Sequence, residues 1–164
     1  MSKFIYRMQN ILNIKEKLET QARMDFGLAM VRLHEEEDKL EALQRRKQGY
    51  EETARNSLRD ALHIRDIREN KEAILRMDEY MVVQREEIRK AEQKVEQERQ
   101  KLQQSIQERK IQEKLRENAF AVFMGEEKAR ESREIDELTS YTYGQKKAEE
   151  TEEAREAEAA AGLM

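Results

Sequence analysis

Two rows of residues, each stepping alternately by three and four, constrain this chain more than any other feature. The first runs Phe26, Ala29, Leu33, Glu36, Leu40, Leu43, Lys47, Tyr50, Ala54, Ser57, Ala61 and Ile64, and nine of the twelve are apolar. The second runs Ile67, Asn70, Ile74, Met77, Met81, Gln84, Ile88, Ala91, Val95, Glu98 and Leu102. That alternation keeps side chains on one face of a slightly underwound α-helix, and it marks the seam of a coiled coil. Upstream, Phe4, Met8, Ile11, Lys15, Leu18 and Ala22 extend the first row, with one residue added at the step to Phe26 that reads as a local unwinding of the supercoil. Downstream, Ile106, Ile111, Leu115, Ala119 and Val122 stay apolar but leave the register, so the pattern is read as slipping between Ile106 and Ile111.

Composition removes the competing folds. The chain has no Pro, no Cys, no Trp and five Gly, and 41% of its residues are charged. Its mean hydropathy is −1.08. Leu, Ile, Val and Phe make up 32 of 164 residues, too few to build a conventional compact core. Acid-before-base pairs at i, i+4, such as Glu41 with Arg45, Glu51 with Arg55, Glu72 with Arg76 and Glu86 with Lys90, support exposed helix by about 0.2–0.5 kcal/mol each. The fold predicted is all-α: a long antiparallel two-helix coiled coil over residues 1–139, with a disordered or partly helical acidic tail over 140–164.

The turn carries no Gly or Pro and is placed from weaker signs. Asn56, Ser57, Asp60 and His63 are poor helix formers, and Asp66 with Glu69 resembles a capping box. The first helix is therefore expected over about 4–58, the turn over about 57–65 and the second helix over about 66–139. At 1.5 Å per residue these helices would be roughly 80 Å and 110 Å long. The alternative is a single unbroken helix of about 130 residues. Pairing about residue 61 brings Phe4 beside Asn118, so the stretch from Ala119 to Leu138 is expected to overhang. Phe120, Val122, Phe123, Met124, Ile135 and Leu138 would then be unpartnered and available to another protein.

Little in the sequence points to catalysis. A helical hairpin offers a seam and no enclosed pocket. The nearest glycines, Gly144 and Gly162, are too far apart for a phosphate-cradling loop, and without Cys there is no thiolate chemistry or Cys-type zinc site. His34 reads as a solvated flank and His63 as a turn residue. The run from Glu35 to Asp38 points four ways around a helix, which does not make an acid–base pair. The expectation is a protein that is not an enzyme and uses no cofactor or metal. Charges of both signs are interspersed to a net of −4, which disfavours a dedicated nucleic-acid surface, so no nucleic-acid partner is expected. Met1 to Arg7 lacks a signal-peptide apolar core and no run of 18 apolar residues occurs, so a cytoplasmic location without membrane insertion is expected. Tyr80, Met81, Val82 and Val83 put apolar atoms all round the second helix, and Tyr50 lies at a comparable distance from the bend; extra packing and a docking patch explain them equally well. Gly125 interrupts a helical run, as a bend or as a point of close approach by a partner backbone.

The stretches Phe4–Leu43 (FIYRMQNILNIKEKLETQARMDFGLAMVRLHEEEDKLEAL), Glu79–Val95 (EYMVVQREEIRKAEQKV) and above all Arg109–Leu138 (RKIQEKLRENAFAVFMGEEKARESREIDEL) resemble the flagellar export protein FliJ family. The resemblance covers about residues 4 to 140. It implies a non-enzymatic stalk of the flagellar type III export apparatus that serves motility and chemotaxis. The implied partners are the ring of the export ATPase FliI, the export gate protein FlhA and export chaperones, and the implied location is peripheral to the inner face of the plasma membrane at the flagellar base. Joined to the overhang, it suggests ring contacts through Phe4, Met8, Phe120, Phe123, Arg130, Arg133, Ile135, Asp136, Glu137 and Leu138. Gate contacts would come from Tyr50, Met77, Tyr80, Met81 and Val83. The isolated chain is expected to be a monomer. An injectisome-type stalk protein and a generic coiled-coil scaffold or homodimer remain the alternatives.

Overall fold

The computed structural model describes residues 2–59 and 63–163. It contains two helices, α1 (Gln9–Ser57, 49 residues) and α2 (Ile64–Gly162, 99 residues). The chain divides into two units, Asn10–Gln112 and a second made of Met1–Gln9 with Glu113–Met164. The turn expected over 57–65 begins where α1 ends; its residues Asp60, Ala61 and Leu62 lie outside the described residues.

In the unit Asn10–Gln112 the helices run antiparallel and pack through one continuous seam. On α1 the inward row is Leu12, Lys15, Glu19, Ala22, Phe26, Ala29 and onward by threes and fours to Ser57. This corrects the expected upstream row. Ile11 and Leu18 face out, Leu12 and Glu19 face in, and no residue is added at Phe26. On α2 the row from Ile67 to Leu102 is as expected, and it continues without slipping through Ser105, Arg109 and Gln112, leaving Ile111 exposed. The fully apolar buried positions are few: Leu12, Ala22, Ala29, Met77, Met81 and Ala91.

Polar bridges between the helices supply what the thin apolar seam lacks. Glu19, buried on α1, accepts from Arg109 Nε of α2 and from Arg23 Nη2 of its own helix at 2.7 Å. Lys15 Nζ meets Glu108 at 2.8 Å, and Lys47 Nζ meets Asp78 at 2.6 Å. Gln84 Nε2 donates to the backbone oxygen of Glu36 at 2.8 Å and to its carboxylate at 2.6 Å. Glu98, also buried, is held within α2 itself, by Lys94 at 2.8 Å and Lys101 at 3.3 Å. Of the helix-stabilising pairs read from sequence, Glu41 with Arg45 forms, whereas Glu86 turns to Arg89 and Lys90 to Glu87 at i, i+3.

These bridges make the seam acid-sensitive. Burial pushes the Glu19 carboxyl up, but hydrogen bonds from Arg109 and Arg23 outweigh it and hold the group below the usual carboxylate range. Glu36 is lowered by hydrogen bonds from Lys39 and Gln84, and Glu98 by those from Lys94 and Lys101. A folded-state value below the unfolded one contributes stability above the unfolded carboxylate range, about 4.3, and loses it as pH falls through the lowered folded values. The thermal midpoint is therefore expected to fall between about pH 5 and pH 3, with a shallower fall in Glu19→Gln. Circular dichroism melts across that range would read this directly, and a flat profile would refute it.

The ends of both helices differ from expectation. Residues 2–6 are not helical; a turn, with Gln9 N donating to Tyr6 O at 3.2 Å, leads into α1 at Gln9 and not at residue 4. The α2 helix starts at Ile64, where Ile67 N donates to His63 O at 3.2 Å, so Asp66 lies inside the first turn, favourably placed near the N-terminal dipole, and is not the cap. At the other end α2 does not stop near Thr139. It runs through the tail to Gly162 because Glu, Lys and Ala there are strong helix formers, and every described side chain from Glu131 onward is exposed.

Candidate functional site

The unit formed by Met1–Gln9 and Glu113–Met164 is organised by three phenylalanines. Phe4, on the non-helical N-terminal segment, sets its ring edge-on to Phe120 at 5.1 Å between centroids and tilted against Phe123 at 5.4 Å. Phe120 and Phe123 are offset neighbours at 6.4 Å, one helical turn apart on α2. Ser2 Oγ donates to Glu127, whose carboxyl is thereby held low, and Arg130 Nη1 reaches the same carboxylate at 3.0 Å. Phe4 reaches both rings from this non-helical segment.

This corrects the expectation that Phe120 and Phe123 are unpartnered. It leaves an open groove beside them of about 710 Å³, lined by Ile5, Tyr6, Met8, Ala119, Val122 and Phe123 among others. Ile5, Met8 and Val122 remain exposed on it. Beyond the groove, Arg130, Arg133, Ile135, Asp136, Glu137 and Leu138 all stand exposed on α2, which offers apolar and charged groups together. The helix carries Tyr141 and Tyr143 further along, both exposed and both overlooked in the sequence, where they fall past the expected helix end. Gly125 is an ordinary helical residue; a Cβ built on it would meet nothing within 4 Å.

The second set of sequence candidates divides. In the unit Asn10–Gln112, Met77 and Met81 are buried in the seam as packing residues. Tyr80, Val82 and Val83 on α2 are exposed, and Tyr50 on α1 is half-buried. His34 is exposed with Nδ1 3.3 Å from Glu37, and His63 is exposed at the start of α2. Glu36 faces inward to Gln84 while Glu35, Glu37 and Asp38 point to solvent. Among the described residues no group of three His, Asp or Glu is placed to hold a metal ion, and no helix is long and apolar enough to cross a membrane.

A helical hairpin held by a thin, polar-bridged seam defines an all-α coiled-coil protein. The family described as Flagellar FliJ protein matches residues 3–148, and the chain belongs to that family, a component of flagellar protein export. No match is found among curated proteins or among solved structures. Residues 149–164, the end of the acidic helix, lie outside the matched span.

Proposed function

We propose that this chain is a non-catalytic stalk of flagellar type III export that meets the ring of the export ATPase FliI through the unit that carries its phenylalanine cluster and the export gate protein FlhA through a patch of the unit Asn10–Gln112. The observation that carries the first assignment is the cluster of Phe4, Phe120 and Phe123 beside an apolar groove, followed on α2 by the exposed Ile135 and Leu138 among Arg130, Arg133, Asp136 and Glu137. Apolar anchors with charged neighbours suit a contact that is entered and left repeatedly. Tyr80, Val82 and Val83, with Tyr50 across the seam, supply the second contact, and Met77 and Met81 hold that patch in place from inside. Export chaperones would use the remaining exposed helix surface. Placement at the inner face of the plasma membrane follows from the partners and not from this chain.

Deleting residues 119–138 is expected to abolish stimulation of the ATPase while leaving gate binding measurable in a pull-down. Loss of gate binding with ATPase stimulation intact would reverse the two ends. Loss of neither would return the chain to the generic scaffold reading.

A further inference from the structure

The correction of the α1 register leaves a set of exposed apolar residues outside the seam. Ile11, Ile14, Leu18, Met24, Leu28 and Val31 all point outward, each at least 39% exposed, while the inward row passes through Leu12, Lys15, Glu19, Ala22, Phe26 and Ala29. Between Ile11 and Val31, α1 thus carries an outward apolar row in addition to the row that faces the seam, which is what a helix with partners on two sides looks like. The second row is wrapped around Gln21, whose side chain hydrogen-bonds Asp25 at 2.9 Å.

The order of the outward residues identifies the partner. Read from Gln21 in both directions, Leu18 mirrors Met24, Ile14 mirrors Leu28, and Ile11 mirrors Val31. Lys17 mirrors Asp25 at the same step. Laid antiparallel on a copy of itself about a two-fold axis through Gln21, the row sets apolar side chains against apolar ones at each of these positions. It also sets Lys17 against Asp25 of the copy twice, and Gln21 against its own equivalent. Self-complementarity of this kind is what an isologous two-fold interface requires, because every residue must be acceptable to its mirror position on the same surface. We infer that the outward row of α1 is a homodimer interface, in which two chains pack antiparallel through residues 11–31. The seam stays intact on each copy, since only outward-facing residues are used. Six apolar residues a side make an interface at the small end of the range, so the dimer is reversible and forms as concentration rises. This departs from the monomer expected on sequence, and it does not depend on the proposed contacts with the ATPase or the gate.

Sedimentation equilibrium of the full chain tests it. The weight-average mass should climb from one chain toward two as concentration rises through about 1 mM, the range in which an affinity weaker than micromolar becomes visible. Leu28→Arg should hold the mass at one chain over the same range, with the helical circular dichroism unchanged. Lys17→Asp alone should weaken association at least about tenfold, and Lys17→Asp combined with Asp25→Lys should restore it, because the swapped pair is again complementary across the axis. A mass of one chain at every concentration would overturn the inference, as would a dimer indifferent to Leu28→Arg or a charge swap that fails to rescue.

Discussion

Replacing Arg109 with Leu is expected to lower the unfolding free energy by about 2 kcal/mol, whereas replacing Glu19 and Arg109 together with Leu should return it to the wild-type value or above. The single change leaves a buried carboxylate at Glu19 with Arg23 still at 2.7 Å but without its cross-helix guanidinium. Losing one partner of a buried pair commonly costs about 3–5 kcal/mol, and the remaining Arg23 bond reduces that. In the double variant neither charge has to be desolvated, and two leucines extend the apolar row that sequence pattern alone would place there. Urea unfolding followed by far-ultraviolet circular dichroism gives both numbers. A double variant less stable than Arg109→Leu would mean that the pair is a net stabiliser beyond what leucine packing can replace.

The same pair explains why one part of the seam was not legible. On α1 the row of apolar residues drifts to Ile11 and Leu18 because the inward position is Glu19, and on α2 it drifts to Ile111 because the inward position is Arg109. The added residue expected near Phe26 and the slip expected after Ile106 are thus one feature met from both sides: a layer of the seam built from opposite charges. A rule that seeks apolar residues at every third and fourth position must step over such a layer. Elsewhere the rows are apolar enough that residues 26–57 and 67–102 were placed correctly, and the antiparallel hairpin followed. The aromatic end was legible as a set of residues but not as an arrangement. Phe4, Phe120 and Phe123 stand out in the sequence, yet nothing in the periodicity says that the chain before Gln9 leaves the helix or that Phe4 meets both other rings from there.

Where Met77 and Met81 are concerned, residue type misled: a methionine beside tyrosine and valine suggests an adaptable surface, and burial shows that these two hold the helices together. Opposite outcomes follow for neighbours two residues apart. Met81→Ala opens a cavity in the seam and is expected to cost about 2 kcal/mol, with binding to the export gate reduced only in proportion to the unfolded fraction. Val83→Asp, on an exposed position, should leave stability within about 0.5 kcal/mol of wild type and yet weaken gate binding roughly tenfold or more, because an aspartate placed in an apolar contact must be desolvated without a partner. Thermal melts and a titration against the gate's cytoplasmic domain separate the two effects. If Val83→Asp binds the gate normally while Met81→Ala, still folded, does not, the contact must be reached by parting the seam. The outward patch at Tyr80, Val82 and Val83 would then be solvent-facing packing and nothing more.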